Sequence, residues 1–128
     1  MNIPVLCVLI AGLQSIFWGM LSKWNARQAG ITYDNKCPRE QATTYTGPAA
    51  RAGWAQANSF EAFPLFAAAV ILAMVTGIDG AMLTTWSIAY VVLRFAYGFF
   101  YIINWDALRS LAWVLAMVVV IRLFVAAI

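Results

Sequence analysis

The chain alternates long apolar runs with short polar segments. No residue is charged from Met1 to Ser22, and three further apolar runs cover residues 48–77, 80–103 and 107–128. About 20 helical residues cross the roughly 30 Å hydrocarbon layer of a bilayer, so each run is long enough to span it. Runs of this length are typical of membrane-spanning helices, which satisfy their backbone polar groups within the segment. The pattern therefore predicts an all-α integral membrane four-helix bundle, whose first span covers about residues 3–29.

Turn-forming and capping residues separate the four runs. Gly30 is predicted to end the first helix, and Pro48 suits the first turn of the second. Asp79 and Asp106 are predicted to cap the third and fourth helices with their side chains. Residues 30–47 are polar and rich in turn formers. They are predicted to form a cytoplasmic loop.

The composition narrows the classes of function. Of 128 residues, 64% are hydrophobic and 10% are charged, whereas about a quarter of a soluble domain is charged. There is no histidine, which removes the commonest metal ligand and general base. Cys7 and Cys37 lack metal-binding spacing; they are read as a small apolar residue and an incidental loop thiol. We expect a single transmembrane domain over residues 1–128, with no metal and no nucleic-acid partner.

The basic residues indicate the orientation of the bundle. Cytoplasmic loops of membrane proteins carry an excess of lysine and arginine. Four such residues lie at or beyond the end of the first span: Lys23, Arg27, Lys36 and Arg39. The loop between the second and third spans carries only Asp79. No basic residue precedes the first run, so we expect that run to be retained rather than cleaved. The pattern predicts a multi-pass protein of a bacterial inner membrane or an intracellular membrane, with both termini on the non-cytoplasmic side.

Polar side chains on separate spans fall at one depth. At 1.5 Å per residue from the non-cytoplasmic loop, Glu61 lies roughly 24 Å down the second helix and Arg94 roughly 21 Å down the third. On the third helix, spacings of four, three and four bring Tyr90 and the polar residues after it onto one face. We call this level the polar layer. Its members are Asn58, Glu61, Arg94, Tyr97, Tyr101 and Arg109.

The polar layer has a structural and a functional interpretation. An ionisable group within a span costs several kcal/mol unless it is paired or hydrated, and it therefore marks a functional site by default. The structural alternative is an ion pair of Glu61 with Arg94 that joins the second and third helices. Such a pair does not require the two tyrosines, Asn58 and Arg109. The whole set is therefore predicted to be a binding site.

Two segments resemble one known family. The sequence RAGWAQANSFEAFP, which begins at Arg51, is similar to the pattern Arg-Ala-(His or Gln)-x-Asn-x-x-Glu-x-x-Pro. That pattern is the signature of the membrane-associated proteins in eicosanoid and glutathione metabolism, the MAPEG family. The pattern Arg94-x-x-Tyr97-x-x-x-Tyr101 and the Leu-Arg pair that ends at Arg109 also resemble this family. Size, number of spans and orientation fit over the whole chain.

The resemblance implies a microsomal glutathione transferase-like enzyme, a transferase or peroxidase that acts on lipophilic electrophiles. It further implies a homotrimer that binds glutathione, as substrate or cofactor, between neighbouring subunits near the cytoplasmic interface. Arg109 would be catalytic, because a nearby positive charge lowers the pKa of a thiol from about 8.5. Guanidinium groups would also bind the carboxylates of glutathione. The implied glutathione-binding residues are Arg51, Asn58, Glu61, Arg94, Tyr97 and Tyr101.

The sequence also departs from the family pattern. Trp54 stands where the well-known enzymes have arginine, so Arg51, Lys36 or Arg39 would have to replace one carboxylate contact. This departure favours the alternative, a non-catalytic MAPEG-like structural or lipid-binding subunit of a membrane assembly. A small multidrug-type transporter also has four spans and a membrane glutamate. Its essential glutamate lies in the first span, which has no charge here.

Overall fold

The structure is a computed structural model and describes residues 2–128. It contains five helices and, within residues 2–128, no strand. Four of the helices are long and apolar enough to cross a membrane. This confirms the predicted all-helical membrane four-helix bundle. The helices are α1 (Ile3–Gln28), α2 (Pro38–Ala42), α3 (Gly47–Thr76), α4 (Gly80–Ile102) and α5 (Asp106–Ala127).

The segment between α1 and α3 is more ordered than a simple loop. It contains the short helix α2, which begins with Pro38 in its first turn. The side chain of Gln41 in α2 bonds to the residues that follow α1. Its Nε2 donates to the carbonyl of Thr32 (2.7 Å), and its Oε1 accepts from the N–H of Asp34 (2.9 Å). Asp34 accepts in turn from the N–H of Lys36 (2.8 Å). We call the end of the bundle that carries this segment the α2 end.

Glycine ends α1 where the sequence predicts it. Gly30 has a φ of 87°, a left-handed conformation that costs glycine little. Its N–H donates to the carbonyl of Arg27 (3.0 Å), while the N–H of Ile31 donates to that of Ala26 (3.0 Å). This pair of bonds is a Schellman motif. It satisfies carbonyls that would otherwise have no partner at the end of the helix.

The two predicted aspartate caps have different outcomes. Asp79 is confirmed, because its carboxylate accepts a hydrogen bond from the N–H of Met82 (2.8 Å). Asp106 as an N-cap is wrong. Trp105 occupies the cap position without a side-chain bond, and Asp106 is the first helical residue.

Close packing and a few interhelical hydrogen bonds hold the bundle together. α3 and α4 each pack against the other three long helices. Phe66 of α3 is fully buried and stacks on Tyr90 of α4 at 3.8 Å between ring centroids. Between α1 and α4, Gln14 donates to the carbonyl of Val91 (3.1 Å). Lipid is as apolar as a protein core, so contacts of this kind supply the association energy.

The Gly98→Ala substitution tests the α1–α4 contact. A Cβ at Gly98 would overlap the indole of Trp18, which is 4% exposed and has little room to move. We expect a loss of about 1–3 kcal/mol in the free energy of unfolding, because overpacking forces side chains off their rotamers. The measurement is unfolding in mixed micelles of denaturing and mild detergent. Gly80→Ala is the control, since nothing lies within 4 Å of its Cβ. Equal stability of the two variants would contradict this packing.

Candidate functional site

The residues of the predicted polar layer lie at the α2 end of the bundle, in two groups. α3 supplies Asn58 and Glu61, and α5 supplies Arg109 close to its first turn. α4 supplies the other three residues from its last two to three turns. The tight turn at residues 103–105 brings the start of α5 beside the end of α4. Three helices therefore contribute side chains to one region.

Arginine and tyrosine side chains form a continuous chain of contacts. The guanidinium of Arg94 lies 4.5 Å from the ring centroid of Tyr97. Tyr97 packs edge to face on Tyr101, with 5.6 Å between ring centroids. The guanidinium of Arg109 lies 4.5 Å from the ring centroid of Tyr101. A cation over an aromatic face is stabilised by about 0.5–2 kcal/mol. We call these four residues the arginine–tyrosine chain.

Burial divides this chain into an inner and an outer half. Arg94 is 2% exposed and Tyr97 is 5% exposed. Tyr101 and Arg109 are only half-buried. The outer half is therefore accessible to a ligand at the surface of the bundle, whereas the inner half lies behind it.

The hydrogen-bond partner of Arg94 is Ser59, which lies outside the predicted polar layer. Nη2 of Arg94 donates to the hydroxyl of Ser59 (3.3 Å). That hydroxyl donates to the carbonyl of Ala55 (2.8 Å), so its oxygen remains free to accept. A serine in a span commonly bonds to its own helix in this way. The sequence therefore carried no signal that Ser59 also meets an arginine.

Asn58 and Glu61 form a separate pair on the outside of α3. Nδ2 of Asn58 lies 3.4 Å from a carboxylate oxygen of Glu61, which is exposed. The Oδ1 atom of Asn58 is buried without a hydrogen-bond partner. Within residues 2–128, no carboxylate oxygen lies within 4.0 Å of the nitrogens of Arg94. The ion pair of Glu61 with Arg94 is thus not formed in this chain.

Arg51 and Trp54 lie next to the arginine–tyrosine chain, one helical turn apart on α3. Nε of Arg51 donates to the carbonyl of Ile102 (2.8 Å), which ties the start of α3 to the end of α4. Trp54 is 56% exposed, and its ring centroid lies 6.1 Å from that of Tyr101. Anchored through Nε, Arg51 keeps its terminal nitrogens for another acceptor.

A cleft of about 330 Å³ lies between α1, α2 and α3 on the other side of Trp54. Two of its lining residues, Lys23 and Arg39, are cationic. Arg39 was weighed from the sequence as a replacement carboxylate contact; Lys36, weighed with it, does not line the cleft. Pro38, Arg39 and Ala42 of α2 form one side of the cleft. Within residues 2–128, no three histidine, cysteine or acidic side chains cluster as metal ligands.

The fold and the polar layer define a multi-pass integral membrane protein with an arginine- and tyrosine-lined site at one end of its helical bundle. The sequence profile of the MAPEG family matches residues 3–128, essentially the whole chain. The chain belongs to the MAPEG family, which confirms the resemblance seen in its second and third spans. Comparison with curated proteins and with solved structures returned no match.

The Ser59→Ala substitution tests whether the hydrogen bond between Ser59 and Arg94 stabilises the fold. It leaves the buried guanidinium without its side-chain hydrogen bond, so we expect a loss of about 1.5–3 kcal/mol in the free energy of unfolding. Ser15→Ala is the matched control, because Ser15 is also buried and bonds only to its own helix, at the carbonyl of Gly12 (2.7 Å). Detergent unfolding of both variants gives the comparison. Equal losses would show that the bond to Arg94 contributes nothing.

Proposed function

We propose that this protein is a glutathione-dependent transferase or peroxidase that acts on lipophilic electrophiles within the membrane. The observation that carries the proposal is the placement of Arg109. Its guanidinium stacks on Tyr101 at the half-buried, accessible end of the arginine–tyrosine chain. A fixed positive charge at such a site stabilises a thiolate, which is the reactive form of glutathione. Membership of the MAPEG family supports this assignment.

Other residues at the α2 end would supply the remaining contacts that an acidic tripeptide needs. The carboxylate of Glu61 would bind the amine of glutathione. The side-chain amide of Asn58, which lies beside the exposed carboxylate of Glu61, would bind a peptide group of glutathione. Arg51, held at its Nε by the carbonyl of Ile102, would direct its terminal nitrogens to a carboxylate. Tyr101 would line the same region between these groups and Arg109.

The chemistry requires no nucleophile from the protein. The thiol of glutathione loses its proton to water, and Arg109 holds the resulting thiolate. The thiolate sulfur attacks an electrophilic carbon of the second substrate, so that a carbon–sulfur bond forms. The electron pair of the broken bond departs with the leaving group or, for an epoxide, stays on the ring oxygen, which takes up a proton. The lipophilic substrate would enter sideways from the bilayer.

The exposed side of α3 supports assembly into a homotrimer with the site between neighbouring subunits. Exposed residues recur there at spacings of three and four, interrupted once at the half-buried Ala68, which is the pattern of a helix seam. Glu61 lies on this stripe, and a carboxylate that faces lipid costs several kcal/mol. A neighbouring copy would cover it. The stripe consists of Trp54, Ala57, Glu61, Pro64, Ile71 and Val75. By the distribution of basic residues, the α2 end would face the cytoplasm and both termini the opposite side.

The second candidate is a non-catalytic structural or lipid-binding subunit of a membrane assembly. Trp54 favours it, because this position presents an exposed indole rather than a guanidinium beside Tyr101. An indole binds apolar groups and contributes no carboxylate contact. The two candidates differ in whether the protein binds glutathione at all.

The Arg109→Ala substitution tests the enzyme proposal. We expect the wild-type protein in liposomes to bind glutathione and to show the ultraviolet absorbance of its thiolate at neutral pH. Without the cation, the pKa of the bound thiol returns toward about 8.5, so the absorbance falls at neutral pH and recovers as the pH rises above that value. Arg122→Ala is the control, because Arg122 lies at the opposite end of the bundle over Trp86 (5.9 Å). A wild-type protein that binds no glutathione would favour the non-catalytic candidate.

Cysteine cross-linking tests the proposed trimer. In a Cys37→Ser background, Val75→Cys places a thiol on the α3 stripe at a residue that is 78% exposed. We expect a thiol-reactive cross-linker to join subunits at this position and native mass spectrometry to count three. Val92→Cys on α4, at a residue 59% exposed, is the control and should remain monomeric on denaturing gels. Two subunits in native mass spectra, or equal cross-linking of both variants, would contradict the proposed assembly.

A further inference from the structure

The side chain of Arg94 is almost completely enclosed by other residues of the chain. It is 2% exposed, and its Nη2 is committed to the hydroxyl of Ser59. One face of its guanidinium is covered by the ring of Tyr97 at 4.5 Å. A cation in this position has its partners within the chain. It does not present a free surface to the region where Tyr101 and Arg109 are accessible.

The space beside Arg94 is too small for any part of a substrate. The cavity that it lines together with Tyr90 of α4 and Trp113 of α5 has a volume of about 10 Å³. That is room for about one water molecule. A carboxylate cannot reach the guanidinium from this side without separating α4 from α5.

We propose that Arg94 is a positioning residue: it holds Tyr97, and through Tyr97 the accessible Tyr101, in place without contacting the thiol substrate itself. The planar guanidinium can lie flat on the Tyr97 ring while Nη2 bonds to Ser59 of α3. Tyr97 in turn meets Tyr101 edge to face at 5.6 Å. This role replaces the direct carboxylate contact that the family resemblance implied for Arg94.

The part of this inference that concerns substrate rests on the proposed glutathione function; the part that concerns Tyr97 and Tyr101 does not. If Arg94 fixes the two rings, its removal changes the surroundings of Tyr101 in the protein without ligand. If Arg94 contacts a carboxylate of glutathione, its removal leaves Tyr101 in place and weakens only ligands that carry this carboxylate. The two roles therefore predict opposite results in two separate measurements.

The first measurement needs no ligand. The five tyrosines are replaced biosynthetically by 3-fluorotyrosine, and Tyr97→Phe and Tyr101→Phe assign their ¹⁹F resonances. We expect Arg94→Met and Arg94→Lys to shift or broaden the Tyr101 resonance, since lysine keeps the charge but not the planar contact. Leu123→Ala is the control for lost stability, because Leu123 is fully buried in the core outside the chain of contacts. An unchanged Tyr101 resonance in both Arg94 variants would overturn the proposal.

The second measurement uses glutathione and two analogues that each lack one carboxylate: its glycine ethyl ester and γ-aminobutyryl-Cys-Gly. We expect Arg94→Met to lower affinity by the same factor for all three, and to lower kcat/KM by roughly 10- to 100-fold through misplacement of the site. If Arg94→Met weakens glutathione binding but leaves the affinity for one of the analogues unchanged, Arg94 contacts the carboxylate that this analogue lacks, and the proposal is overturned. If the wild-type protein binds none of the three, the proposed function fails, and the ligand-free ¹⁹F spectra alone decide the role of Arg94.

Discussion

A guanidinium group inside a membrane-spanning bundle must find its partners within the protein, and the arrangement of α3 and α4 follows from this constraint. Arg94 meets Ser59 across the helix interface and Tyr97 on its own helix. Because the hydroxyl of Ser59 is bonded to the α3 backbone as well, the contact sets both the rotation of α4 and its height against α3. The stack of Phe66 on Tyr90, one turn closer to the middle of the bundle, agrees with the same register. A small rotation of either helix would leave a buried charge without a partner, which costs several kcal/mol.

The same constraint separates the polar layer into groups that support the fold and groups that remain free to bind. Arg94 and Tyr97 are buried and mutually satisfied, whereas Tyr101 and Arg109 are half-buried. Asn58 and Glu61 form a pair on α3, and the carboxylate of Glu61 is exposed. Unsatisfied polar groups at the surface of a membrane bundle are costly unless a ligand or a neighbouring subunit meets them. In the proposed trimer, glutathione and a neighbouring subunit would both contact these groups. Trimer assembly and glutathione binding would then depend on the same site.

Small residues allow this arrangement to pack without a hydrophobic driving force between the helices. Gly98 lies directly under Trp18, and Gly19 lies against the amide of Gln56. Such close approaches between helices increase dispersion contacts, which lipid does not replace. They also leave the apolar bulk of the spans facing outward, where the bilayer solvates it. The bundle is thus held by the close fit of its helices and by a few hydrogen bonds between them.

Several features were predictable from the sequence because each is a property of one helix. Length and apolar content defined the four spans, Gly30 and Asp79 marked helix ends, and a constant rise per residue placed the polar layer at one depth. Other features depend on which helices are neighbours and how they are rotated, and a one-dimensional pattern does not contain this information. The tertiary structure alone showed that Ser59, not Glu61, meets Arg94. It alone showed the cleft beneath α2. It alone also showed that Trp105, at the end of the α4–α5 turn, occupies the N-cap position predicted for Asp106. The depth of a residue in the membrane follows from its position along its helix, whereas the residue that it contacts on another helix depends on how the helices pack.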